Sequence, residues 1–470
     1  MSIDKNLLQG QPFRLVALLF IVLLTVFLTA RPTSGFAQSN NARTLFADNK
    51  AGILQIRIID ITSGSKSAIG SGFVVNDSGL IATNYHVVQM AASKPEQYRI
   101  EYLSADGAAG SLNLVDVDVI NDLALVQRTS QGTSEGSSEG SSEGSSEGSS
   151  EGSSQASKPL AAVLPLAAAE PDIGVPVYAL GNPLDLGLTV VPGTYNGINQ
   201  TSYHPRVHFT GSLNSGMSGG PTLNQAGEVV GINVSTAGNQ VSFLVPVTAL
   251  QHLIAEHQLR GQGVDNMALR IGQQLLADQD KKFAQMLSLD WSTIALGEAT
   301  VVNELSPFFR CWGGSNSSSE KAQLLSADRT CRSEDNIYLN EKFNSGVIEH
   351  QFFWLEADKL NPLQFYTYYK RLFSDFAPGN KAREKDVGDY QCDTEFVATN
   401  NLEAEPQRKT KAVFCARAYK DYPQLYDVLF LQGTVDDSRA AFISHFTLAG
   451  VSRDNAKAYA RKFMGVAQWR

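Results

Sequence analysis

The sequence predicts a strand-built N-terminal domain followed by an α+β C-terminal domain, on three observations. Residues 53–126 and 174–247 are successions of short β-branched or alternating runs, punctuated by Gly, Asn, Asp and Ser. Beyond about residue 262 the texture changes, and helical periodicities stand among further strand runs. The chain has 470 residues, 43% of them hydrophobic, which is more than one ordinary domain and enough for about two or three cores.

The N-terminus reads as a targeting segment. Lys5 and Arg14 precede an apolar run from Leu15 to Ala30, and small residues lead to Gly35-Phe36-Ala37. A cut after Ala37 suits signal peptidase, and residues 1–37 are expected to be a signal peptide. The alternative is an uncleaved membrane anchor, although the run is short of the roughly 20 residues that a spanning helix needs. No cysteine lies near the cut, so a lipid anchor is not expected. The chain is therefore expected to be exported, to a periplasm or outside the cell, with membrane attachment only if the segment stays on.

Residues 38–50 read as a polar lead-in. ILQIRIIDI, SGFVVN, LIATN, YRIEYL, LNLVDVDVI and LALVQ then read as strands, with a short helix just after His86. Thr133–Gly152 repeats a four-residue SEG unit without one apolar residue. Such a segment cannot offset its own ordering entropy, so residues 131–157 are expected to be a disordered insert. Strands resume with GVPVYALGN and run through GEVVGINVST and QVSFLVP, and a helix over Val247–Gln258 closes the domain.

In the C-terminal part, residues 265–287 and 361–377 read as helices. Asn361 caps the second, and Pro362 opens it. Its stripe Phe365, Tyr369, Leu372, Phe373 and Phe376 is expected to face a core. Ser452 can cap a last helix reaching Arg461. The four cysteines, Cys311, Cys331, Cys392 and Cys415, all fall here, and an even number in an exported chain favours two disulfides. Cys311–Cys331 and Cys392–Cys415 are expected out of three possible pairings. Folding YQCDTEFVATN onto KAVFCARAY about a polar turn sets Cys392 opposite Cys415.

The net charge of −9, with no block of Lys or Arg, gives no footprint for nucleic acid or for an anionic membrane surface. The cysteines lack the close pairs that a zinc site needs. His204 and His208 are four apart, but Pro205 interrupts them in a strand-like setting, so no metal is expected there. His350 and His445 lie in apolar strands and read as structural. No cofactor is implied.

The strongest chemical signal is Gly216-Met217-Ser218-Gly219-Gly220-Pro221. A serine hydroxyl needs a base to take its proton and donors to hold the oxyanion. Glycines allow a tight turn that leaves the N–H groups of Gly216 and Ser218 free to converge on one oxygen. Thr83-Asn84-Tyr85-His86-Val87-Val88 follows a strand–turn–strand pattern, placing His86 at a strand end where a helix opens. Asn121-Asp122-Leu123-Ala124 sets one acid among apolar residues, and a hydrogen bond to the His86 imidazole would satisfy it. The rival acids, Asp116 and Asp118, alternate with valines and are expected to face solvent.

GSGFVVNDSGLIATNYHVV, NDLALV, GNP, GMSGGP, GEVVGIN and SFLVP together resemble the Htr/Deg branch of the trypsin-like serine proteases, over roughly residues 50–260. The resemblance implies two six-stranded β-barrels across residues 38–261, with the SEG repeat between them. It implies a triad of His86, Asp122 and Ser218 in the cleft, and a peptide or protein substrate. Met217 stands where digestive relatives carry an acid, so activation by a newly cut N-terminus is not expected. No PDZ pattern follows residue 260, and the oligomeric state stays open. Ser212, six residues before the nucleophile, and Thr236 are candidates for the S1 pocket.

The leading reading is thus an exported serine endopeptidase working through an acyl-enzyme. The alternative is a binding or regulatory protein of the cell envelope, built on a protease scaffold and acting through residues 262–470. That region contains no second catalytic constellation. It is expected to bury a core alone, so a chain cut near residue 262 should keep its activity on small substrates.

Overall fold

The computed structural model describes residues 34–129, 162–238, 240–333, 335–357, 359–380, 382–398 and 408–469, with side chains from residue 41. The chain divides into two units, residues 1–48 and 49–470. The described part of the first, residues 34–48, lies in helix α1 (Ser34–Asn49), which includes Ala37. Most of the expected signal segment, the SEG repeat and the polar turn at 401–407 lie outside the described residues. Among the described residues no helix is long and apolar enough to cross a membrane.

The second unit opens with six antiparallel strands: β1 (Ile53–Asp60), β2 (Lys66–Val74), β3 (Leu80–Thr83), β4 (Tyr98–Ser104), β5 (Ala109–Asp118) and β6 (Leu123–Arg128). They close a barrel in the order β1-β2-β3-β6-β5-β4. Six more follow: β7 (Pro176–Gly181), β8 (Thr189–Ile198), β9 (Val207–Phe209), β10 (Pro221–Leu223), β11 (Val229–Gly238) and β12 (Val241–Pro246). They close a second barrel as β10-β11-β12-β9-β8-β7, the same topology. Closure leaves neither barrel an edge to aggregate through. The expected double barrel is therefore present, and the SEG repeat falls in the connection from β6 to β7.

Helix α2 (Tyr85–Ser93) interrupts the first barrel after β3, and α3 (Val247–Arg260) follows β12. α3 ends on Gly261, whose φ of 72° supplies the left-handed cap. A long helix, α4 (Met267–Ser288), leads into the C-terminal region.

There the strands are β13 (Thr293–Leu296), β14 (Ala299–Val302), β15 (Phe309–Ser315), β16 (Leu324–Ser333), β17 (Ile337–Asn340), β18 (Phe343–Ser345), β19 (Ile348–Ala357), β20 (Gln391–Ala398), β21 (Lys409–Ala418), β22 (Tyr426–Thr434), β23 (Ala440–Val451) and β24 (Gln468–Trp469). Seven of them form one sheet, β15-β16-β19-β23-β22-β21-β20, and β17 pairs β18 as a separate hairpin.

Helix α5 (Pro362–Ser374) packs on one face of the large sheet, and α6 (Arg453–Val466) on the other. Alternation divides the strands between these faces: Phe442 and Phe446 of β23 pack towards α6, and Ala441 and Ile443 towards α5. All twelve residues of β23 are buried as a result. Asn361 caps α5 in a reciprocal capping box with Gln364, and Phe365 and Tyr369 are its buried anchors. Leu372, Phe373 and Phe376 pack at the rim of the same cluster.

Disulfides tie both edge strands to their neighbours. Cys311 of β15 joins Cys331 of β16, and Cys392 of β20 joins Cys415 of β21, each pair directly opposite in register with Cα atoms 3.9 and 4.0 Å apart.

One expectation changes. Asp116 does not face solvent: its side chain is fully buried, paired with Arg260 of α3 at 2.6 Å and Arg270 of α4 at 3.3 Å. A register irregularity between Leu114 and Asp116 breaks the alternation on which the solvent assignment rested. The C-terminal region also shares a core with the first barrel. It has cores of its own, but Ile271, Leu275, Ile337, Leu339 and Phe343 belong to the cluster that fills the first barrel and covers α2. Gln274 of α4 also clamps the end of β5, accepting from Val119 N at 2.9 Å and donating to Val117 O at 2.7 Å.

Candidate active site

β3 runs out at Thr83, and the extended backbone of Asn84 turns the chain into α2, so His86 stands in the first helical turn. Asp122 sits at the turn from β5 into β6 with φ +62°, a left-handed conformation that Asp tolerates better than most residues. The turn closes on the start of α2. Asp122 O accepts from Tyr85 N at 3.2 Å and from Asn84 Nδ2 at 2.7 Å. Asp122 Oδ1 accepts from His86 N at 2.8 Å, and Oδ2 lies 2.6 Å from His86 Nδ1. A carboxylate is favoured here, because the first-turn N–H groups of a helix lack partners within it.

Burial alone would lower the His86 pKa, but the Asp122 charge and hydrogen bond outweigh it, so it lies above the ordinary value of 6.5. The carboxylate at Nδ1 leaves Nε2 as the nitrogen available for proton transfer.

Ser218 lies on the other barrel, in the turn between β9 and β10. Gly216 and Gly219 adopt φ of +93° and +82°. A Cβ at Gly219 would fall 2.3 Å from Ser71 O and Thr83 Oγ1, so only glycine lets this turn lie against the first barrel. Among the described residues the N–H groups of Gly216 and Ser218, the expected oxyanion donors, have no hydrogen-bond partner. Ser218 Oγ donates to Val234 O of β11 at 3.4 Å, and among the described residues it makes no hydrogen bond to His86.

Two residues that sequence reasoning did not single out belong here. Ser71 of β2 joins the halves of the site: its N–H donates to Ser218 O at 2.8 Å, its Oγ donates to Gly216 O at 2.7 Å, and the same Oγ accepts from Asn182 N at 2.9 Å. Its place in the GSG of the first motif was the available signal. Tyr338, from the distant β17, stands edge-on to the His86 ring with centroids 5.9 Å apart. Nothing in the local sequence marks that contact.

The S1 candidates are less convergent. Ser212 is exposed, and Thr236 is exposed with its hydroxyl bonded to Gly238 O and Val241 O at 3.2 Å. His204 is committed to α4, its Nε2 lying 2.8 Å from Asp278 Oδ1, while His208 is half-buried on β9. Among the described residues no group of three or more His, Cys, Asp or Glu could hold a metal. His350 and His445 are fully buried in the C-terminal sheet.

Residues 70–232, which span His86, Asp122 and Ser218, match the family described as the trypsin-like peptidase domain. The chain is 29% identical over 208 residues to serine protease HTRA1 of Xenopus laevis, covering 42% of this chain and 38% of that one. It is 27% identical over 220 residues to human serine protease HTRA4, covering 44% and 39%. It is 28% identical over 203 residues to the putative serine protease HhoA of Synechocystis, covering 40% and 43%. Each of these matches spans less than half of the relative. Among solved structures, the serine endoprotease from Yersinia pestis aligns with a TM-score of 0.36 and 22% identity, over 47% of this chain and 68% of that one. Deg5 aligns with the same score and identity over 46% and 92%.

Proposed function

We propose that this chain is an exported serine endopeptidase in which Ser218 is the nucleophile, His86 the general base and Asp122 the group that orients it. The observation carrying the proposal is the double contact of Asp122 with His86, one oxygen on the backbone N–H and the other 2.6 Å from Nδ1. Together they favour the tautomer that keeps Nε2 open. That Ser218 stands in a glycine turn with two unpartnered N–H groups supports the reading further.

In the reaction Ser218 Oγ leaves its bond to Val234 O by rotation about χ1 and gives its proton to His86 Nε2. The Oγ–C bond forms as the carbonyl π pair moves onto oxygen, where the N–H groups of Gly216 and Ser218 hold the oxyanion. His86 returns the proton to the leaving amine nitrogen, the C–N bond breaks, and an acyl-Ser218 remains. Water repeats the sequence with the same base, releasing the acid. Asp122 stays ionised and stabilises the imidazolium. The substrates are proteins or peptides, and the segment at residues 1–37 directs the chain out of the cytoplasm.

The test is labelling of the purified full chain with a fluorophosphonate, together with hydrolysis of an unstructured protein such as casein. Modification confined to Ser218, and proteolysis absent from Ser218→Ala, is the expected result. A wild-type chain that neither labels nor cleaves would favour the scaffold-only alternative.

A further inference from the structure

The helix that carries His86 is covered by a segment more than two hundred residues further along the chain. β17 and β18 form a small hairpin over Ile337–Ser345. A two-stranded hairpin is marginal alone, but this one is anchored twice. Ile337, Leu339 and Phe343 are buried in one cluster with Tyr85, Val87 and Val88 of α2. Phe343 also packs edge-on against Tyr419 at 4.7 Å, and the Tyr419 hydroxyl donates to the buried carboxylate of Asp427 on β22 at 2.7 Å. Asp427 is in turn paired with Arg417 at 2.8 Å. The hairpin therefore carries the rigidity of the C-terminal sheet to the start of α2, and there it presents Tyr338 to the imidazole, with ring planes at 73°.

Resting on the triad reading above, we propose that Tyr338 is a positioning residue for the general base, supplied to the cleft by the C-terminal region. The His86 side chain is 27% exposed, and its only side-chain hydrogen bond among the described residues is to Asp122, through one nitrogen. One hydrogen bond at Nδ1 leaves the ring able to tilt towards solvent. A ring standing edge-on, with centroids 5.9 Å away, limits that tilt. Burial, then the Asp122 and Glu341 charges, raise the Tyr338 hydroxyl above its ordinary pKa, so it stays a neutral phenol and acts by shape. Among the described residues, Tyr85 of α2 interacts electrostatically with Tyr422, Tyr338, Asp122 and Asp421, and Arg206 before β9 with Asp122, Asp335 and Asp118.

The experiment compares Tyr338→Ala, Tyr338→Leu and Tyr338→Phe in the full chain, with kcat and KM for a short peptide measured across pH and thermal unfolding of each. An edge-on aromatic pair supports a loss of about two- to tenfold in Tyr338→Ala. The loss should fall on kcat with KM little changed. The acid limb should shift from its wild-type position, because loss of Tyr338 changes both the burial of His86 and its hold on Asp122. Tyr338→Phe should recover both. Tyr338→Leu keeps the apolar contact with the hairpin, and decides the matter if the alanine variant does not fold: its kcat should lie between those of Phe and Ala. A folded Ala or Leu variant with wild-type kcat and acid limb overturns the proposal, as does a Phe variant as impaired as Ala. Failure of the wild type to label at Ser218 overturns the triad reading instead, and this inference with it.

Discussion

Acid should weaken the C-terminal region through two histidines. His350 and His445 lie on the adjacent central strands β19 and β23, both fully buried. His350 is enclosed by Trp291, Phe309, Phe352 and Phe463, and its Nε2 meets Tyr459 OH at 2.7 Å. Burial, with the neighbouring His445 adding to it, pushes the His350 pKa down to about 3, and burial does the same to His445. The unfolded chain binds protons at the ordinary value of 6.5, so below that pH it takes up protons that the folded form refuses. Stability is full above pH 6.5 and declines as pH falls from there towards 3.

At pH 5 the linkage amounts to about 2 kcal/mol per histidine, and any folded value below about 4 gives nearly the same figure. All four tryptophans, Trp291, Trp312, Trp354 and Trp469, lie beyond residue 262, so their fluorescence in a urea titration reports this region alone. The wild type should lose about 4 kcal/mol from this pair between pH 7 and pH 5. His350→Phe and His445→Phe should each flatten the dependence by about 2 kcal/mol. A double variant that keeps the wild-type slope would show that neither histidine controls the acid transition.

The triad variants should separate chemistry from folding. Ser218→Ala and His86→Ala should each lower kcat by about 10⁴-fold or more, and Asp122→Asn should do nearly as much with the fold intact, through the wrong tautomer. Because the Asp122 interaction holds the His86 pKa above 6.5, and the base works only when neutral, the acid limb of kcat/KM should lie above pH 6.5. Asp116→Ala leaves two guanidinium groups facing a vacated buried site, and should cost about 3 kcal/mol in denaturant titrations, at the lower end of such losses because both arginines keep some exposure. Removing the Cys392–Cys415 bridge, which closes a separation of 23 residues, should cost about 3 kcal/mol and free the edge strand β20 to proteolysis first. A chain ended at residue 262 should be insoluble or inactive even on small peptides. It loses Ile271, Leu275, Ile337, Leu339 and Phe343 from the shared core, a burial worth about 7 kcal/mol or more. Full peptidase activity in that fragment would contradict the shared-core argument.

The strands and the turns of the candidate site were legible because local rules decide them, whereas the closure of those strands into two barrels was implied by the family resemblance. Alternating strands, the glycines at 216 and 219, and the caps at Asn361 and Ser452 each impose a conformation that short stretches of sequence reveal. The pairing of Cys392 with Cys415 was legible for the same reason, since a hairpin folded about its centre has one register. Asp116 was misread because alternation assumes an unbroken ladder, and one irregularity turns its carboxylate inwards onto arginines from two later helices. Ser71, one of many small polar residues, gains its place from a turn 145 positions away.

The core that residues 262–470 share with the first barrel lay beyond what composition reveals. Composition can show that a region has enough apolar sequence for a core, and this one does. It cannot show that further apolar side chains are committed to a neighbour. The surplus falls on α4 and on the β17–β18 hairpin, and both join the cluster of the first barrel and α2. α4 also fixes Val117 and Val119, on the strand end that delivers Asp122. The same region thus reaches both His86 and the segment holding Asp122, the proposed base and its orienting acid. Displacement of the C-terminal region would therefore disturb His86 and Asp122 together.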